Sequence, residues 1–264
     1  MIKKDKNTAI IIKEAKRLGI KVEILYPQRK LIALVKGSKR FLVQRDFRIN
    51  LDRFGTRNIP LFKDLSYFFW QKNNIPIPKT ITAFSLQEAK RKIKKIPFSL
   101  VIKDAQASQS RNLWVNISDL PKAISVLKNL FSNPLIEAVI IQEFIRGKEF
   151  RVLALKDKIL GIAQLIPHPS KEYSKISEGG QVKNILLDSI HPEIKKMCIK
   201  AIKITGLELA GLDIIAEDIS KSPKEQKIKF IEINGRPDVY IHHYPNKGKP
   251  VNVTKKILKY IFNL

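Results

Sequence analysis

The sequence predicts an α+β fold made of small lobes. Two observations carry that expectation. Apolar strands come in neighbouring pairs joined by tight turns: 31–35 with 41–43 across Lys36-Gly37-Ser38-Lys39, and 150–156 with 158–165 at Asp157. Such pairs read as antiparallel hairpins. Helical stretches lie irregularly among them, which departs from a regular Rossmann alternation. At 264 residues, 44% of them hydrophobic, the chain is long and apolar enough to bury substantial cores.

Taken in order, residues 8–18 read as a helix stopped by Gly19. Strands at 22–25, 31–35 and 41–43 complete a small N-terminal α/β unit, set at 1–58. A helix over 63–72 precedes Ile75-Pro-Ile-Pro78, whose prolines enforce an extended exit. Ser85-Leu-Gln-Glu88 is a capping box that opens a helix to about Lys94. Strands at 98–103 and 113–117 flank a polar connection, and 119–130 is helical with Pro121 in its first turn. Strands follow at 138–142, 150–156 and 158–165. Residues 191–205 form a helix between Pro192 and Gly206, 210–216 and 227–234 are apolar strands, and 251–262 is a closing helix.

Lys and Arg number 50 against 24 acids, a net charge of +26. Such a field favours polyanions such as nucleic acid, ribosomes or nucleotide phosphates. The lysines are nevertheless spread along the whole chain, as a genomic or habitat bias would also spread them. Cys198 is the only cysteine, so neither an intrachain disulfide nor a cysteine zinc site is available. It reads as a small buried apolar residue. The apolar run 9–12 is too short for a signal-peptide core, and no stretch reads as a membrane span. A reducing cytoplasm fits these features.

Three constellations suggest chemistry. In Phe230-Ile-Glu-Ile-Asn234, strand periodicity puts Glu232 and Asn234 on one face. Asp213 lies in the apolar run 210–215, where a carboxylate is costly unless paired or metal-bound. Two carboxylates and an amide oxygen suit magnesium shared with phosphates; a solvated sheet face and an Asp213–lysine pair are the alternative. Lys103 ends one strand and Lys63 opens a helix, and either could hold phosphate oxygens or lie on a solvated surface. Glu149 and Arg151 share a strand face after Gln142-Glu-Phe-Ile145. They could serve ribose hydroxyls and anionic oxygens, or form a surface pair. His168, His191, His242 and His243 lack zinc-ligand spacing. On a strand, His242 and His243 would face opposite ways, so at most one would enter a site.

From about Ile59 to Leu264 these elements, in this order, resemble the ATP-grasp superfamily. The likeness is to the ATP-grasp modules of cyanophycin synthetase and bifunctional glutathione synthetase, and to the ribosomal-protein glutamate ligase. Phe62-Lys-Asp64 with Asn74-Ile-Pro-Ile-Pro78 and the lysine strand Leu100-Val-Ile-Lys103 are similar to the family's nucleotide-binding lobe. Ile141-Gln-Glu-Phe-Ile-Arg-Gly147 resembles its adenine hinge. Glu149-Phe-Arg151 is similar to its ribose and phosphate segment. Gly211-Leu-Asp213 and Glu232-Ile-Asn234 resemble its metal-binding strands.

The resemblance implies two α/β lobes clasping ATP, at 59–140 with a lid and at 141–264. Lys63 and Lys103 would hold phosphates and Glu149 the ribose. Adenine would be read around Glu143, Phe144 and Ile145, with Gln142 alongside. Asp213, Glu232 and Asn234 would hold magnesium, or manganese in its place. Arg151 and Arg236 would steady phosphate or substrate carboxylate. The implied reaction is ATP-dependent amide formation through an acyl phosphate, on an amino acid or a peptide or protein end. Homo-oligomers are compatible with this reading. Where the family's loop after the lysine strand is glycine-rich, 104–112 holds no glycine. Ala107, Ser110 and Asn112 stand at the usual glycine places, and Pro237-Asp238 stands where Pro-Gly is common. That loop and the charge support a second hypothesis, a non-catalytic relative binding nucleic acid or ribosomes.

Overall fold

The computed structural model describes residues 5–47, 59–106, 112–171, 173 and 178–264. Helix α1 (Lys6–Arg17) starts under Asp5, whose carboxylate accepts from the Thr8 N–H at 3.0 Å. It precedes β1 (Lys21–Tyr26), β2 (Leu31–Lys36) and β3 (Lys39–Gln44), a sheet in that order. The expected hairpin forms, with Lys36 opposite Lys39.

A second sheet contains β4 (Thr80–Ala83), β5 (Leu100–Asp104), β6 (Leu113–Ile117) and β7 (Val139–Glu143), in the order β4-β7-β5-β6. Two helices, α3 (Leu86–Lys92) and α4 (Leu120–Phe131), share its core through Ala89, Leu127 and Leu130 against Leu100, Ile102 and Ile141. The capping box forms: Ser85 Oγ accepts from the Glu88 N–H, and the Glu88 carboxylate accepts from the Phe84 N–H at 2.7 Å.

The third sheet is antiparallel throughout, in the order β10-β9-β8-β11-β12. Its strands are β8 (Lys148–Leu155), β9 (Lys158–Ile166), β10 (Gln181–Ile185), β11 (Leu209–Ala216) and β12 (Lys229–Asn234). Phe150, Val152 and Ala154 face a core shared with α5 (Pro192–Ile204), which includes Cys198. Burial pushes that thiol up to about 12, in keeping with an inert apolar role. Leu153 and Leu155 alternate to the opposite face, where they join α1, the N-terminal sheet and α7 (Val253–Phe262) in another core. The N-terminal unit is therefore cemented to the third sheet.

Several sequence expectations change. Helix α2 (Lys63–Lys72), expected in the first ATP-binding lobe, buries Tyr67 and Trp70, with Ile75 beyond it, in a core formed largely by the third sheet together with Ala105, Ala138 and Ile140. The reason is Trp70: its Nε1–H donates to the Ala201 carbonyl at 2.9 Å, and its ring meets Phe230 edge-on. The lobe boundary expected at 140/141 falls inside β7, whose hydrogen bonds to β5 run as far as Glu143. Strands β4 and β10 are additional, as is α6 (Tyr240–His243), so His242 and His243 sit on a short helix rather than a strand. Ala107 and Ser110 lie outside the described residues. No helix among the described residues is long and apolar enough to cross a membrane.

Candidate active site

A cleft of about 1270 Å³ opens where the three sheets meet. Its lining includes Lys63, Lys103, Gln142, Glu143, Phe144, Ile145, Glu149, Arg151, Asp213, Glu232, Asn234 and Arg236, every site residue singled out in the sequence.

Strand register explains the floor. Arg151 on β8 lies opposite Asp213 on β11, which lies opposite Glu232 on β12. Side chains of register partners share a sheet face, so three charged groups form one row. Arg151 forks onto Asp213, with Nε and Nη2 donating at 2.7 and 2.8 Å. Burial works against the Arg151 charge, but the Asp213 carboxylate outweighs it and raises the guanidinium above its ordinary value. Asp213 thus pairs with an arginine, not the lysine considered from sequence. Asn234, opposite Gly211, extends the polar face by one row.

The cations come from different elements. Lys63, at the start of α2 and 8% exposed, places Nζ 3.7 Å from Glu232 Oε1. Lys103 reaches in from β5 and is 7% exposed. Its ammonium donates to Tyr67 Oη at 2.8 Å. Burial pushes Lys103 down to about 8, with Glu232 and Asp213 acting in the opposite direction. Tyr67 in turn donates to the Ile231 carbonyl. Sequence reading passed over Tyr67 because a tyrosine in an amphipathic helix reads as core. The available signal was its i, i+4 spacing from Lys63, which puts both on one helical face.

At the end of β7, the Glu143 N–H donates to the Lys79 carbonyl at 3.0 Å and the Phe144 N–H to the Ser99 carbonyl at 2.8 Å. Those two N–H groups are spent inside the protein. Gln142 is anchored by donating to Thr80 Oγ1 at 2.7 Å. In the glycine-free connection, Asn112 adopts φ of +50°, the left-handed backbone a glycine would supply. Its carbonyl accepts from the Asp104 N–H at 3.2 Å. Arg236 lines the cleft without an ion pair to any described residue. Neither His242 nor His243 lines it. His242 packs against Gly161, where an added Cβ would come 3.0 Å from Nδ1. Burial pushes His242 down to about 3, and neither ring nitrogen finds a partner among the described residues.

No group of three or more His, Cys, Asp or Glu side chains suited to a metal forms among the described residues. The donor set is instead two carboxylates with the Asn234 amide. These are hard oxygens suited to magnesium that takes its remaining ligands from water and phosphate. Two buried lysines beside them fit phosphate oxygens. The residues present therefore fit a nucleoside triphosphate and a divalent cation.

Cations facing hard oxygen donors across a cleft between antiparallel sheets define a site of the ATP-grasp class. Residues 63–261 match the RimK-like ATP-grasp domain, and the chain belongs to that family. The family comprises ATP-using carboxylate–amine ligases. The chain is 24% identical to the glutathione biosynthesis bifunctional protein GshAB of Clostridium perfringens, over 97% of this chain and 41% of that protein. It is 28% identical to the glutamate–LysW ligase ArgX of Sulfurisphaera tokodaii, over 75% of this chain and 67% of that protein. A solved bifunctional glutathione synthetase from Pasteurella multocida shares the fold, with a TM-score of 0.71 and 18% identity over 98% of this chain and 44% of that one. The chain thus spans less than half the length of GshAB.

Proposed function

We propose that this chain is an ATP- and magnesium-dependent carboxylate–amine ligase that forms an amide on an amino acid or on a peptide or protein end. One observation carries the reading. Lys103 from β5 and Lys63 from α2 converge with Asp213, Glu232 and Asn234 from the third sheet in a single cleft. Bound ATP supplies the phosphoryl group that activates the carboxylate.

The side chains supply position and charge. Lys63 and Lys103 hold phosphate oxygens as buried point charges. Glu232 and Asn234 would hold the divalent cation, with Asp213, both of whose oxygens accept from Arg151, offering it a remaining lone pair. Arg151, fixed by Asp213, presents its remaining N–H groups to anionic oxygens. Glu149, two residues along the same strand face, serves the ribose. Arg236, at the end of β12, faces the substrate carboxylate. The names of the relatives, glutathione biosynthesis and glutamate–LysW ligase, support an acceptor among amines of amino acids, peptides or proteins. The +26 charge is spread over the chain and adds no second reading.

The test is ADP release with magnesium ATP across pairs of amino acids and peptides. Turnover should need both a carboxylate and an amine, and should be lost in Lys103→Ala and in Glu232→Ala. Turnover untouched by either substitution would refute the assignment.

A further inference from the structure

We infer that Tyr67 is a positioning residue that sets the direction of the Lys103 ammonium in the cleft; this rests on the ATP-site reading above. Lys103 and Tyr67 come from different elements. Lys103 extends from β5 in the second sheet, whereas Tyr67 is on α2, packed into a core built mainly by the third sheet that also takes in Ala105, Ala138 and Ile140. The 2.8 Å bond between them thus ties β5 to α2.

The direction of that tie follows from proton counting. A phenol carries one proton, and Tyr67 gives it to the Ile231 carbonyl, immediately before Glu232, with Gln142 Oε1 a longer acceptor at 3.4 Å. Toward Lys103 the hydroxyl can then only accept, which is what an ammonium requires. Lys103 therefore donates to Tyr67 whichever acceptor takes the phenol proton, with one lysine N–H bound and two left for oxygens in the cleft. Tyr67 is itself immobile: it is 3% exposed, with its ring edge-on to Trp70 at 6.0 Å between centroids. Phenylalanine would reproduce the packing. What it would remove is the acceptor, the one hydrogen-bond partner that a described residue gives the buried ammonium. The hydroxyl therefore serves Lys103 rather than the core, and it links that lysine to the strand bearing Glu232.

The experiment measures binding by calorimetry, with no second substrate and no turnover, for ATP and for adenosine. Adenosine lacks phosphates and does not meet Lys103. Tyr67→Phe is expected to melt close to the wild type, to bind ATP roughly tenfold more weakly, and to bind adenosine unchanged. In a Lys103→Met background, Tyr67→Phe should cost ATP affinity nothing more, because the group it positions is gone. Should Tyr67→Phe fail to fold, Tyr67→3-fluorotyrosine keeps the shape while weakening the acceptor, and it should bind ATP more weakly than wild type. Unchanged ATP affinity, equal losses for ATP and adenosine, or a full additional loss in the Lys103→Met background would each overturn the inference. Absence of ATP binding in the wild type would instead bring down the proposed function on which it rests.

Discussion

Lys103 costs the fold stability in exchange for a charge in the cleft. Its folded value of about 8 lies below the ordinary 10.5. Unfolding therefore takes up a proton between those values, so the penalty is full below pH 8 and fades toward pH 10.5. Two outcomes follow for one side chain. Lys103→Met should melt higher than wild type at pH 7 while losing ATP affinity. Wild-type ATP affinity should fall as pH rises through 8, where the ammonium loses its proton, and the affinity of Lys103→Met should stay flat. Thermal melts and calorimetry between pH 7 and 9.5 check both, and a Lys103→Met melt below wild type would contradict the cost. At this scale the sequence was informative where periodicity fixes a face: Glu232 with Asn234, and Glu149 with Arg151. The Arg151–Asp213 fork was not readable, because the residues lie 62 positions apart and meet only through the pairing of β8 with β11. His242 was equally opaque, since its place on α6 depends on a missing Cβ on strand β9, at Gly161.

Among elements, hairpins and capped helices could be read because their signals are local. The turns at 37–38 and 156–157, the Ser85 cap and the Pro192 start all lie within a few residues of what they control. Elements defined by distant partners were missed. β4 is four residues long and becomes a strand only by pairing with β7, and β10 is an edge strand held by β9. The packing of α2 was not legible for the same reason, since Trp70 chooses its neighbours in three dimensions. The segment after α6 offers a test at this scale. Gly248 has φ of +82°, and a Cβ there would collide with the Asn184 carbonyl oxygen on β10. Asn184 in turn donates from Nδ2 to the carbonyls of His242 and Lys249, at 2.8 and 2.9 Å, clamping the segment. Gly248→Ala should therefore lower stability by roughly 2–3 kcal/mol in urea denaturation. An effect below about 0.5 kcal/mol would show that the clamp can relax.

In the whole molecule, three sheets share one cleft, and the N-terminal unit belongs to its wall: Gln44, Arg45 and Asp46 line it along with the catalytic candidates. The order of motifs along the chain made the family legible, because many weak signals in sequence agree only if one fold explains them. Their three-dimensional partition was less legible. Lys63 bridges the second and third sheets: its backbone N–H donates to the Ala105 carbonyl beyond β5 at 3.0 Å, while its ammonium lies 3.7 Å from Glu232 on β12. Closure of the site therefore depends on how β5 meets α2. The central claim is that residues from both sheets converge on one nucleotide, and calorimetric titration with magnesium ATP tests it most directly. The account predicts one site per chain, weakened by Lys103→Ala on β5, by Lys63→Ala on α2 and by Glu232→Gln on β12. Heat-silent titration, or affinity indifferent to the variants of either sheet, would contradict it.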